Sequence, residues 1–252
     1  MSNIIIYNSE DFVGLRIAGK LAARTLDQIA GFVVEGVTTL ELNDLCNEFI
    51  VANGGISACT GYNGFPRDVC ISVNHVVCHG IPSEKKVLAN GDIVNIDVTT
   101  IINGYYGDTS RMFYVGTPGI KARRLCEVTE KALKLGIEQV KPGNYLGDIG
   151  FAIQHFVEEQ GFSVVRDYCG HGTGKVFHGD PQVCHFGKRG TGELIREGMV
   201  FTIEPMVNAG DYRTVLNRLD GWTVTTKDKS ISAQFEHTLG VTSDGSEIFT
   251  VS

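Results

Sequence analysis

The chain has 252 residues, 42% of them hydrophobic and 20% charged, with a formal net charge of −7. These are the proportions of an ordinary globular protein with a sizeable core, and the acidic balance argues against a direct nucleic-acid function. No stretch approaches the roughly 20 apolar residues that span a membrane, and MSNIIIYNSED carries no basic leader, so neither membrane association nor a signal peptide is expected. Seven cysteines, odd in number and without a CxxC pair, suggest neither a disulfide framework nor a zinc knuckle, and a cytoplasmic location fits best.

Helical spacing of Leu15, Ala18, Ala22, Leu26, Ile29 and Val33 predicts a first helix from about Glu10 to Val34, opening at Ser9 with Glu10 and Asp11 behind it. Gly36 breaks it. Thr38 with Glu41 three residues on makes a capping box for a helix reaching about Asn53, with Leu42, Leu45, Cys46, Phe49 and Ile50 as its buried stripe. Residues 56–66 are turn-rich, and one strand-like run from Val69 to Val77 leads into Cys78-His79-Gly80-Ile81-Pro82. Next come two β-branched, aromatic-rich runs joined by Asn103-Gly104, a strong short-range hairpin signal. Gly116-Thr117-Pro118-Gly119 then closes a first half, and helical patterns resume at about 121–140 and 145–160.

The hairpin has a chemical consequence. If the loop is the two-residue turn, Asp97 faces Ser110 and has Asp108 as its diagonal neighbour on the same face, about 7–8 Å away at the backbone. A lone aspartate at a strand end is usually a cap or a solvated group. These two sit among Ile93, Val94, Ile96, Val98, Met112, Phe113 and Val115, where a charge requires a partner, which points to a cation or catalytic site.

The halves also repeat. Gly91 to Asp97 (GDIVNID) matches Gly198 to Glu204 (GMVFTIE), and the same offset of 107 aligns Gly36 with Gly143, Phe49 with Phe156 and Gly54 with Gly161. An acidic residue is therefore expected alike in both sheets, with an insertion at roughly 208–230 breaking the offset beyond Pro205. Alternation around Glu236 places Gln234, Glu236 and Thr238 on one face, with Phe235 and His237 pointing away. His171 lies in Cys-Gly-His-Gly-Thr-Gly, where glycines are expected to let the backbone approach a ligand closely.

Asp97, Asp108, Glu204, Glu236 and His171 form an oxygen-rich set that suits a pair of cobalt, manganese, iron or zinc ions better than one structural zinc. Two such ions about 3.5–4 Å apart share bridging carboxylates and activate water, so the chemistry implied is hydrolysis. Competing motifs are weaker. The glycines at 170, 172 and 174 lack a following helix to receive a phosphate, and His75 with His79 lacks the glutamate of a zinc protease at Val76. His155 reads as solvated, and His185 and His237 as sheet or supporting residues.

At this point the chain resembles the bacterial-type (type I) methionine aminopeptidases over nearly its whole length. The motifs are Cys78 to Pro82, Asn95 to Val98, Gly107 to Ser110, Gly170 to Gly172, Pro181 to Val183, Thr202 to Pro205, Asp220 to Trp222 and Gln234 to Thr238. The resemblance implies an α/β pita-bread fold, with helices packed on a curved, mostly antiparallel central sheet. Residues 1–252 would form a single catalytic domain with pseudo-symmetric halves at roughly 10–116 and 117–252. It implies hydrolytic removal of the initiator methionine from nascent proteins, favoured when the second residue is small. Asp108 and Glu236 would bridge two divalent metal ions, Asp97 would hold one, and His171 with Glu204 the other. His79 and His178 would contact the scissile amide nitrogen and carbonyl oxygen, and Glu204 would shuttle the proton. Cys59, Tyr62, Phe65, Cys70, Phe177 and Trp222 would form the methionine pocket, with plain core packing the competing reading, above all for Cys59 and Cys70.

The chain departs from the family pattern at Phe65, where tyrosine is common, at Thr173 and Lys175, usually Ile and Arg, and at Gly179, often acidic. These bear on fine specificity rather than on the reaction. The expected enzyme is a cytoplasmic monomer acting on nascent N-termini. With no N-terminal extension expected, any transient ribosome contact would use the catalytic domain. Two alternatives share the fold. Proline-specific relatives (prolidase, aminopeptidase P) generally carry a large additional N-terminal domain, and non-catalytic pita-bread binding proteins lose ligands that are all present here.

Overall fold

The computed structural model describes residues 3–252. Helix α1 (Ser9–Ile29) is capped by Asn8, whose side chain accepts from the Glu10 and Asp11 backbone while Asp11 returns the bond. The cap is therefore one residue earlier than expected; Asn and Ser both serve there. The helix also ends sooner, at Ile29, with a 3₁₀ turn over Ala30–Phe32 in place of the predicted run to Val34. Helix α2 (Thr39–Ala52) has the expected Thr38–Glu41 capping box. Strands β1 (Ile56–Ser57), β2 (Cys70–Val73) and β3 (Val76–Cys78) follow. The run from Val69 to Val77 is thus two strands, divided where Asn74 turns with a φ of 55°.

Strands β4 (Ile93–Ile102) and β5 (Tyr105–Tyr114) form the hairpin, with Asn103 and Gly104 both at positive φ, as a type I′ turn requires. Facing residues number 207 in sum, so Asp97 lies opposite Ser110 and Thr99 opposite Asp108. On its other edge β4 pairs end to end with β1 and β2. Helix α1 lies against this hairpin: the Thr100 hydroxyl donates to Ala18 O at 2.8 Å, and a Cβ at Gly107 would collide with the Ala18 backbone.

The second half repeats the plan. Helices α3 (Ile120–Ile137) and α4 (Leu146–Glu159) precede β6 (Ser163–Val164), β7 (Gly170–Gly172), β8 (Gly179–Val183), β9 (Val200–Ile203) and β10 (Met206–Asn208). Both ends of α4 lie 107 residues beyond those of α2, and β6 pairs with β10 as β1 pairs with β4. The repeat extends to the backbone, with φ of 90° at Gly36 and 93° at Gly143. The predicted insertion contains the hairpin β11 (Thr214–Leu216) and β12 (Val224–Thr226). Strands β13 (Ser232–Gln234), β14 (His237–Val241) and β15 (Ser246–Ile248) complete the chain.

Two hydrophobic clusters lie under the helix pairs. The first contains Leu26, Leu42, Ile50, Val94 and Ile96; the second contains Leu125, Ile149, Ile153 and Phe201, together with Ile93 and Met112 from the first half. Hydrogen bonds join β4 and β5 to the chain around β13 and β14. Glu236 N donates to Ser110 O at 3.1 Å, the Thr109 hydroxyl donates to Glu236 O at 2.6 Å, and Asn95 Nδ2 donates to Gln234 O at 2.8 Å. The fully buried Thr238 hydroxyl accepts from Asp108 N and donates to Asp108 O. Thr238→Val keeps the shape but orphans both Asp108 backbone groups. It should lower stability by about 1–3 kcal/mol, read as a reduced urea midpoint at unchanged m-value; an unchanged midpoint would show that the seam does not depend on this hydroxyl.

Candidate metal centre

Each half delivers its acids differently. Asp97 and Asp108 sit on continuous strands, brought to one face by the hairpin register. Glu204 and Glu236 sit in strand breaks. Strand β9 pairs with β14 in one sheet and β10 with β13 in another, yet both ladders keep pair numbers summing to 440. Glu204 and Glu236 face each other at the point where both chains pass between sheets. The expected strand through Glu236 is thus interrupted at Phe235 and Glu236, although the alternation holds: Gln234 reaches Glu204, and His237 turns away to Thr250.

Asp108, His171 and Glu236 offer ligand atoms that lie within 4.8 Å of one another. His171 Nε2 is 3.7 Å from Asp108 Oδ2 and 3.6 Å from Glu204 Oε1. Asp97 completes the group, its half-buried side chain holding Oδ1 away from solvent with no hydrogen-bond partner. Donors hold two of the other carboxylates in place. The Thr99 hydroxyl bonds Asp108 Oδ1 at 2.7 Å, and Glu204 accepts from the Thr202 hydroxyl at 2.9 Å and Gln234 Nε2 at 3.2 Å. The Glu204 backbone N–H donates to fully buried His185 at 3.1 Å.

The glycines around His171 do not make room for a ligand. A Cβ at Gly170 would meet Thr202 O, and one at Gly172 would meet Asp180 O, so both admit neighbouring backbone. His75 lies in a turn and His79 beyond β3, so they share no helical face, and the zinc-protease reading falls. His155 is exposed beside Glu159, as expected.

Among the described residues no lysine or arginine pairs with any of the four acids. Burial raises every one of them. Asp108 rises to about 6 despite the Thr99 bond, while Asp97, Glu204 and Glu236 rise well above their ordinary values through burial and then the charge of Asp108. Burial lowers His171 to about 4, leaving a neutral imidazole able to ligate. An orphaned carboxylate oxygen, uncompensated acids and a neutral histidine fit hard or borderline divalent cations.

The centre forms the floor of a cleft of about 820 Å³. His79 and His178 both line it and are lowered by burial, His178 to about 4. His79 holds a φ of 54°, a strained value for a non-glycine residue and typical of functional positions. His178 lies 4.2 Å from the His171 ring, and its Nδ1 is 3.0 Å from the Tyr62 hydroxyl. All six expected pocket residues line the cleft. Cys59, Phe65 and Cys70 are buried with Phe177 and Trp222 packed against them, and the Phe65 and Trp222 rings meet edge-on at 5.2 Å.

Sequence reading missed Thr99, Thr202 and Tyr168. The 207 register already set Thr99 opposite Asp108, and Thr202 is two residues from Glu204 on an alternating strand. Tyr168, whose ring lies 5.8 Å from that of His79, is in a loop with no periodic signal.

Comparison with known proteins agrees with this geometry. The profile of metallopeptidase family M24 matches residues 13–243, and the chain belongs to that family, whose enzymes use divalent metal. It is 60% identical over 249 residues to a methionine aminopeptidase of Rickettsia prowazekii, covering 99% of this chain and 96% of that one. The crystal structure of the Rickettsia prowazekii enzyme superposes with a TM-score of 0.97 over 98% of this chain and 100% of that chain. Within M24 the chain belongs with the methionine aminopeptidases of bacterial type. A prolidase from Pyrococcus furiosus shares the fold at 24% identity, with a TM-score of 0.78, covering 98% of this chain and 66% of that one.

The raised carboxylates set a pH signature. A folded-state pKa raised above its unfolded value stabilises the metal-free protein below the unfolded pKa, and that stability is lost as pH rises through the folded value, here about 6 for Asp108. A divalent cation reverses the penalty. The rise in Tm on adding manganese should therefore grow between pH 5 and pH 7.5, read by thermal shift with and without metal. A pH-independent rise would mean that the acids are already ionised in the metal-free protein.

Proposed function

We propose that this chain removes the initiator methionine from nascent proteins by hydrolysing the first peptide bond. The observation that carries this is the convergence of four carboxylates and a neutral histidine beside a thiol- and aromatic-lined pocket. Asp108 and Glu236 would be shared between two divalent cations, with Asp97 on one and His171 and Glu204 on the other. Cobalt, manganese, iron and zinc all suit the donor set. Bound there, such cations polarise the scissile carbonyl and lower the pKa of water.

The protein's own groups do the rest. Glu204, oriented by Thr202 and Gln234, moves a proton from water to the departing amide nitrogen. His79 binds that nitrogen, and His178 binds the carbonyl oxygen as negative charge develops on it. The Tyr62 hydroxyl occupies Nδ1 of His178, leaving Nε2 free for the substrate. Cys59, Phe65, Cys70, Phe177 and Trp222 offer an apolar, polarisable slot suited to an unbranched thioether, with Tyr62 at its edge. The family resemblance adds the preference for a small second residue.

The same reading takes residues 1–252 as one catalytic domain with halves at roughly 10–116 and 117–252, supported by the packing of Ile93 and Met112 into the second half's core. It places the enzyme in the cytoplasm as a monomer with at most transient ribosome contact. Support comes from seven free thiols, and among the described residues no helix is long and apolar enough to cross a membrane.

The purified protein should release methionine from Met-Ala-Ser and leave an X-Pro dipeptide intact; the reverse preference would promote the prolidase reading. Glu204→Gln should lower kcat by at least about 10²-fold with an unchanged far-ultraviolet circular dichroism spectrum, and near-wild-type turnover would remove Glu204 from proton transfer. Chelation should abolish activity, with recovery on adding manganese, cobalt or iron, whereas activity indifferent to chelator would defeat the metal assignment.

A further inference from the structure

Of the seven free thiols, Cys46, Cys59, Cys70, Cys78 and Cys126 are buried, whereas Cys169 and Cys184 are partly exposed. These two face each other. In the β7–β8 ladder Gly170 lies opposite Val183 and His171 opposite Gln182, so facing residues sum to 353, and continuing that register one step beyond the strand ends sets Cys169 opposite Cys184. Alternation sends both thiols to the face that carries His171 and Gln182. Val183, on the opposite face, is fully buried in the core. Cys169, His171 and Gln182 line the cleft accordingly. Each thiol lies close enough to shift the other's acidity. Directly opposed residues of antiparallel strands hold their Cα atoms about 4.5–5.5 Å apart, within the roughly 4.4–6.8 Å that a disulfide spans.

We propose that Cys169 and Cys184 form a reversible dithiol–disulfide site on the cleft wall, closed by oxidants of the hydroperoxide class and reopened by glutathione-class thiols. One thiolate attacks a peroxide oxygen. The O–O bond breaks, a sulfenic acid forms, and the departing hydroxide leaves as water with that thiol's proton. The second thiolate attacks the sulfenic sulfur, the S–S bond forms, the S–O bond breaks, and a second water leaves with the second proton. One hydrogen peroxide is reduced by two electrons, and the two thiols are oxidised by two. Reopening consumes two external thiols, which depart as their own disulfide. Such a pair in a reducing compartment is transient and responds to oxidant rather than bracing the fold. Closing it changes the cleft wall two rungs from His171 without touching the buried thiols of the methionine pocket.

The test uses zinc-loaded protein exposed to graded hydrogen peroxide, quenched with N-ethylmaleimide and digested with trypsin without reduction. Cleavage after Arg166, Lys175 and Lys188 puts the two cysteines on separate peptides, 167–175 and 176–188. The expected product is these peptides linked, lighter than their sum by two hydrogens and released by dithiothreitol. Cys184→Ser should abolish it and leave Cys169 to over-oxidise irreversibly, and Cys169→Ser serves the same purpose if the first variant folds poorly. Irreversible sulfinic or sulfonic acids at both positions of the wild type would overturn the assignment. So would full alkylation of both thiols at doses that oxidise methionine, or a link between Cys59 and Cys70 in their place.

Discussion

The structure depends on a concentration of negative charge that the protein itself does not neutralise. Four carboxylates share one pocket, two of them almost fully buried, and among the described residues His171 is the one basic side chain in ion-pair range. Like charges at this spacing in a medium of reduced dielectric repel by several kcal/mol per pair, and burial alone disfavours each ionised form. The surrounding groups cannot cancel this. They orient it: Thr99, Thr202 and Gln234 each direct a donor at one carboxylate oxygen and leave others facing inward. A site so arranged stores repulsion that a divalent cation releases, so its affinity for metal and its instability without metal have one origin.

That repulsion is spread over the two halves of a duplicated chain. Neither hairpin brings all the acids, and the hydrogen bonds that link Ser110, Thr109 and Asp108 with the Glu236–Thr238 segment are what put them in one place. The duplication is most faithful in the scaffold, where helix ends, turn glycines and short edge strands coincide, and least faithful at the acids. One half supplies two aspartates from a regular hairpin and the other two glutamates from a double break. The longer glutamate side chains stand where the backbone leaves the ladder.

Much of this was legible in the sequence because a few local rules leave little freedom. Asn103-Gly104 admits one turn type, the turn sets the register, and the register places Asp97, Ser110, Thr99 and Asp108. The 107-residue offset likewise carried the second half from α4 to Glu204. What escaped is tertiary. Alternation cannot tell a continuous strand from one that changes sheets while keeping its phase, so the breaks at Glu204 and Glu236 were invisible. The glycines beside His171 promised space, but neighbouring strand backbone fills it. The division of the Val69–Val77 run at Asn74 depended on left-handed geometry that asparagine tolerates but does not announce.

The unbroken 440 register has a further consequence. Pairing of Met206 with Gln234, Val207 with Ala233 and Asn208 with Ser232, extended by Ala209 N to Ile231 O, closes the ladder before the chain departs into the excursion that carries β11 and β12. The positions of Glu204 and Glu236 are thereby fixed by the ladder before the excursion begins. Lengthening a closed loop costs little and grows only slowly with its size. The outer turns of the excursion can therefore change in length while Glu204 and Glu236 keep their positions, whereas its Trp222 stays tied to the cleft against Phe65.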